Sequence, residues 1–178
     1  PFKFLFPYIT AALEAMDYVT AIFLAERLFY HYKPQKNRHS ELAQLLLGQC
    51  YFRSGKPNCA HSLLKARVET AELPQTSYLF AQACFHLKNY SEAEKALLRG
   101  QSINDVLKDS ANENAMPLKS QGYYLLGQIC RRTSRVEQAE KSFSKCLRIN
   151  SCHWGAYSSL CDLGFNVEEK LWFRSNVA

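Results

Sequence analysis

The sequence predicts an all-α chain, a right-handed α-solenoid of helix-turn-helix repeats, on three observations. Glycine and proline number only 7 and 6 in 178 residues, so few breakers punctuate the chain. Apolar residues recur at three- and four-residue spacing rather than in alternation. Segments of the chain also match one another at a period of about 34 residues.

The internal match is carried by named residues. Leu47-Gly48-x-x-Tyr51 is followed by Gly55 and Ala60, while Leu126-Gly127-x-x-Cys130 is followed by Ala139, Phe143 and Cys146. Both follow the tetratricopeptide (TPR) pattern, in which a small residue on the first helix of a pair is answered by an alanine on the second. Gly48 pairs in this way with Ala60, Ala81 with Ala93, and Gly127 with Ala139. Small side chains are needed there because the paired helices cross closely.

Walked in order, the register gives one TPR superhelix over residues 1–178. The first copy, 2–32, pairs Ile9 with Ala21 and so departs from the small residue expected at the first position. A polar connection over Lys33–Arg38 with a helix-stopping Pro34 leads to the second copy, 41–72. The third copy is 74–100. A polar insertion over 101–119 follows, predicted to be a mobile surface loop, since long polar insertions cost a repeat protein little. The fourth copy is 120–151, and a half repeat over 154–165 begins at Trp154, with Tyr157, Leu160 and Cys161 in register with Tyr123, Leu126 and Gly127. Tyr51, Phe80, Tyr90 and Phe143 fall where large rings fill the space between successive hairpins.

Composition excludes several function classes. At 47% hydrophobic and 21% charged the chain is too apolar for a disordered tail. The formal charge of +6 is scattered rather than massed, which reads as solvated surface and predicts no nucleic-acid partner. No apolar run approaches the roughly 20 residues of a bilayer span, so no membrane partner is expected. The aromatic opening, Pro1 to Ile9, lacks an apolar h-region and a small-residue cleavage site and reads as entry into the first helix. The 7 cysteines include no Cys-x-x-Cys pair and no histidine at zinc-ligand spacing, so reduced thiols and no metal are expected. Cys84, Cys130, Cys146 and Cys161 take repeat positions that want small or medium apolar side chains. Phosphate loops and the motifs of hydrolases and metalloproteases are missing. The five histidines (His31, His39, His61, His86 and His153) are dispersed. A non-enzymatic chain without cofactors is the expectation.

Function then falls to the groove lined by the first helix of each pair. In register its positions read Leu42, Leu45, Gln49, Phe52 and Arg53, then Gln75, Tyr78, Gln82, Phe85 and His86, then Gln121, Tyr124, Gln128, Arg131 and Arg132. Large apolar side chains alternate with glutamine, a mixture suited to a helix or extended segment. A clamp for a terminal carboxylate would instead want Lys, Asn and Arg at those sites.

Ala21-Ile22-Phe23-Leu24-Ala25-Glu26-Arg27-Leu28-Phe29, Cys50-Tyr51-Phe52-Arg53-Ser54-Gly55-Lys56 and the run Trp154 to Gly164 with Ser159-Leu160-Cys161 are more specific than the repeat consensus, because Phe-Leu-Ala-Glu-Arg-Leu and Tyr-Phe-Arg-Ser-Gly-Lys lie outside its required positions. They resemble the N-terminal TPR domain of the cell-division-cycle twenty-seven family of anaphase-promoting-complex subunits. The resemblance implies a non-catalytic scaffold of a ubiquitin ligase that drives mitotic exit, found in nucleus and cytoplasm, with other subunits of that complex as partners. It further implies a homodimer through the N-terminal repeats, whereas the tail-binding C-terminal repeats of the family lie beyond this chain. The crowded opening helix supports a dimer contact at Phe4, Leu5, Tyr8, Ile9 and Leu13, because an end repeat left in water needs a polar outer face. The expected twofold dimer docks the first helix pair of each chain into the groove of the other, on Leu45, Phe52, Tyr78, Phe85 and Tyr124. The rival expectation is a monomeric TPR adaptor that takes a peptide or helix of another assembly into the groove.

Overall fold

The computed structural model describes residues 2–35, 38–108 and 116–166. Among these every regular element is helical. The chain falls into two compact units, Pro1–Asn89 and Tyr90–Ala178.

The first unit opens with a hairpin of α1 (Phe2–Glu14) and α2 (Tyr18–Tyr32). Met16 turns the chain at φ 59, and the Asp17 carboxylate accepts the Thr20 amide at 3.2 Å to start α2. Ile9 and Leu13 of α1 meet Ala21, Ala25 and Leu28 of α2, together with Ala43, Leu46, Leu47 and Cys50 of α3 (Arg38–Arg53). Ala21 and Ala25 on α2 are small enough to admit the large Ile9 into this core. A short 3-10 turn over Lys33–Gln35 carries the predicted polar connection.

Gly55, at φ 75, turns the chain from α3 into α4 (Pro57–Lys65), which begins on its proline. Gly48 leaves room for its neighbours, since a Cβ there would meet Leu64 at 3.3 Å and Leu79 at 3.2 Å. The helix α5 (Pro74–His86) likewise begins on proline. Its first turn is capped from a distance by Glu41 of α3, buried to 3% exposure. That carboxylate accepts the amides of Glu72 (3.3 Å) and Leu73 (3.0 Å) and the Thr76 hydroxyl (3.0 Å). A charge is tolerated there because donors at a helix start compensate it.

The second unit contains α6 (Tyr90–Leu98), α7 (Ile103–Leu107), α8 (Ser120–Arg132), α9 (Val136–Ile149) and α10 (Trp154–Asp162). The close crossing read from the repeat is borne out between α8 and α9. A Cβ on Gly127 would stand 2.5 Å from the Phe143 ring, and both Ala139 and Phe143 are fully buried. Arg135 at the start of α9 donates to the Glu94 carboxylate of α6 through both terminal nitrogens.

The insertion differs from its prediction. Within 101–119, α7 is helical and packs on α9, with Val106 and Leu107 only 3% and 7% exposed. Ile103, Val106 and Leu107 share one face of that short helix despite the polar residues between them. Lys145 of α9, itself buried, donates to the carbonyls of Val106 at 2.9 Å and Lys108 at 2.5 Å. Met116 is buried as well. Residues 109–115 of the predicted loop lie outside the described residues.

Candidate protein-interaction site

The groove positions of the first unit come from α3 and α5. Leu42, Gln49, Phe52, Tyr78, Gln82 and Phe85 are half-buried and Arg53 is exposed, which suits side chains at a shallow contact surface. Phe52 and His86 bring the ends of the two helices together, ring edge to face at 5.0 Å, with Phe85 at 6.4 Å from His86. Leu45 is different. At 7% exposure it belongs to the interior of the unit, because α3 is packed against α2, α4 and α5 and its middle turns are covered on most sides.

In the second unit Tyr124 and Gln128 are half-buried and Arg131 is exposed. Their groups are engaged within the unit. The Gln128 amide donates to the Tyr124 hydroxyl at 3.0 Å and to Ser159 of α10 at 3.3 Å, and Arg131 pairs with Asp162 at 3.2 Å. The Tyr124 ring lies so near Gly155 that a Cβ there would meet the hydroxyl at 2.8 Å. The same tyrosine–glutamine pair recurs in the first unit, where Gln82 donates to Tyr78 at 3.2 Å. The recurring glutamine thus braces a tyrosine one turn away.

The first helix pair divides its predicted contact residues. Phe4 and Tyr8 are 67% and 57% exposed, with ring centroids 5.3 Å apart, and Leu5 is half-buried. Ile9 and Leu13 are corrected to core, at 0% and 6% exposure. They occupy the inward stripe of α1, one turn apart, and face α2. Phe2 also turns inward, packing on Phe6, Tyr32 and His39 at 5.5, 6.0 and 5.5 Å.

A second apolar face escaped the sequence reading. Val19, Phe23 and Tyr30 of α2 are 82%, 53% and 65% exposed. Their spacing of four and seven residues was visible, but so was the inward stripe Ala21, Ala25 and Leu28 on the same helix, and only that one was read. Between them the helix is bound to α3 by Tyr51, whose hydroxyl donates to Glu26 at 2.6 Å. Burial, and then that carboxylate, push the Tyr51 phenol well above its usual range. Four of the seven thiols behave as core groups, and Cys59, Cys152 and Cys161 are exposed. Burial raises Cys50 and Cys130 to about 11 and Cys146 to about 12, and Cys84 is buried too, whereas Cys161 is exposed on α10.

The family model described as anaphase-promoting complex, cyclosome, subunit 3 matches residues 14–100, and that described as anaphase promoting complex subunit 8 / Cdc23 matches residues 100–175. The chain is 34% identical over 168 residues to the cell division cycle protein 27 homolog of Homo sapiens, an alignment covering 92% of this chain and 19% of that protein. By sequence, the chain is similar to Cdc27 homologs. Homolog B of Arabidopsis thaliana is 32% identical over 94% of this chain and 20% of its own length, so the chain spans about a fifth of the Cdc27 relatives it matches. A solved structure, the crystal structure of the APC/C hetero-tetramer Cut9-Hcn1, superposes with a TM-score of 0.70 at 18% identity, over 97% of this chain and 33% of that one. That likeness carries the fold, a TPR solenoid.

Proposed function

We propose that this chain is a non-catalytic scaffold and homodimerisation domain of a TPR subunit of the anaphase-promoting complex, a ubiquitin ligase controlling mitotic exit. It would act in nucleus and cytoplasm with other subunits of that complex. The similarity to Cdc27 homologs supports the assignment, and one structural observation supports the dimer. The first hairpin leaves Phe4 and Tyr8 exposed, an aromatic face of the kind that contacts a partner. A twofold arrangement would let each chain lay this face on the other. The contact is narrower than the sequence suggested, since Ile9, Leu13 and Leu45 are used inside the chain.

Glutamate at Phe4 and Tyr8 together tests the reading. The double variant is expected to keep its helical circular dichroism and to run at half the scattering mass of the unmutated chain. An unchanged mass would overturn the assignment of these residues. The adaptor reading draws on the cluster of half-buried Phe52 and Phe85 with exposed His86, which offers an aromatic anchor point for a peptide.

A further inference from the structure

The helix α2 is apolar on two opposite sides. Ala21, Ala25 and Leu28 are fully buried against α1 and α3. At 3.6 residues per turn, Val19, Phe23 and Tyr30 project about 180° away from them, and all three are more than half exposed. A helix hydrophobic on both sides is ordinarily covered on both. The stripe lies on α2, whereas Phe4 and Tyr8 lie on α1.

Two cations lie against the aromatic rings of this helix. The Arg27 guanidinium lies over the Phe23 ring, 5.3 Å from its centroid, and the Lys33 ammonium lies 5.8 Å from both the Phe29 and Tyr30 rings. Contacts of this kind hold cations against the aromatic faces. Between Tyr18 and Lys33 the only carboxylate is Glu26, half-buried and accepting the Tyr51 hydroxyl. At the near end the Asp17 carboxylate is taken up by the Thr20 amide.

We propose that the outer face of α2 is a docking surface for an amphipathic helix of another protein, one that sets carboxylates beside its apolar side chains. Val19 to Tyr30 spans about 16 Å, three helical turns, and calls for anchors at i, i+4, i+7 and i+11 on the incoming helix. Its carboxylates meet Arg27 and Lys33, which fixes its position along the stripe. An anionic membrane is the weaker match, because surface-binding helices gather clusters of roughly 4–8 Lys or Arg and this face has two.

The probe is a synthetic capped helical peptide with leucine at those four anchor positions and glutamate flanking them. Its partner peptide has lysine for every glutamate. Fluorescence anisotropy against the chain is expected to show the acidic peptide binding at least about tenfold more tightly, an advantage that shrinks as salt is added. Phe23→Glu and, separately, Val19→Glu are expected to weaken that binding about tenfold or more while leaving the scattering mass unchanged. Arg27→Glu should remove the preference for the acidic peptide. Equal affinity for the two peptides, or binding indifferent to Phe23→Glu and Val19→Glu, overturns the proposal. So does a lower mass in those variants, which would assign the stripe to a contact between copies, or phosphatidylserine vesicles bound in preference to the acidic peptide. A failure of the dimer reading shows only in the mass of the unmutated chain, so the two outcomes are distinguishable.

Discussion

Glu41→Ala removes the one carboxylate that holds the start of α5 to α3. Three donors lose their acceptor: the Glu72 and Leu73 amides and the Thr76 hydroxyl. Hydrogen bonds to a charged group contribute roughly 1.5–3 kcal/mol each, and the negative charge beside a helix start adds about 0.3–1 kcal/mol. Two effects offset this loss. Glu72 is exposed, so its amide regains water, and the variant no longer bears the cost of burying a carboxylate, which is several kcal/mol. Thr76, at 1% exposure, regains nothing. The net cost is about 2–4 kcal/mol, or ~4–16 °C in melting temperature for a chain of this size. Glu41→Gln keeps the shape but turns an amide donor toward other donors, and should fall between alanine and the unmutated chain. Glu69→Ala, exposed one turn before the contact, should stay within ~0.5 kcal/mol. Urea titration followed by far-ultraviolet circular dichroism measures all three. A loss below ~1 kcal/mol for Glu41→Ala, or one equal to that of Glu69→Ala, would refute the long-range cap.

Other outcomes follow from the same packing. Ala139→Leu overpacks the fully buried crossing of α8 and α9 and should cost about 1–3 kcal/mol by the same titration; Gly127→Ala should join it, since its new Cβ would stand 2.5 Å from the Phe143 ring. In the native chain Cys59, Cys152 and Cys161 should react promptly with a thiol reagent, and the buried Cys50, Cys84, Cys130 and Cys146 slowly, with all seven released by denaturant. Folded Cys50, Cys130 and Cys146 hold their protons above the ordinary 9.0, so the unfolded chain binds fewer protons as pH rises past about 9. Stability should therefore decline from there toward about 11–12, by up to ~1.4 kcal/mol per pH unit for each thiol, and Cys146→Ala should flatten that decline in urea midpoints measured across the range.

The fold was legible where local spacing and packing agree. Gly127 and Gly48 stand at close approaches, where a Cβ would meet Phe143 at 2.5 Å and Leu64 at 3.3 Å, and the small residue needed there is written into the repeat. Ile9 and Leu13 were misassigned because aromatic crowding at the start of α1 hid which residues formed its inward stripe. Leu45 was read from repeat register alone, which cannot tell how deeply a helix with three packed neighbours is covered. Cys161 has the register of Gly127 but not its enclosure, because it stands exposed on α10. The helix α7 was masked by Asn104 and Asp105, and its anchor, Lys145, lies some forty residues away. The Glu41 cap spans α3 to α5, and no local pattern signals a contact over that separation. The α2 stripe was legible in spacing and was passed over because one apolar face already explained the helix.

The account stands most directly on the mass of the unmutated chain in solution. Sedimentation equilibrium at low micromolar concentration should give about 41 kDa, twice the 20.4 kDa of one chain, as expected if the Phe4 and Tyr8 face is covered by a second copy. A value near 20.4 kDa that persists at high concentration would contradict the dimer and favour the monomeric adaptor.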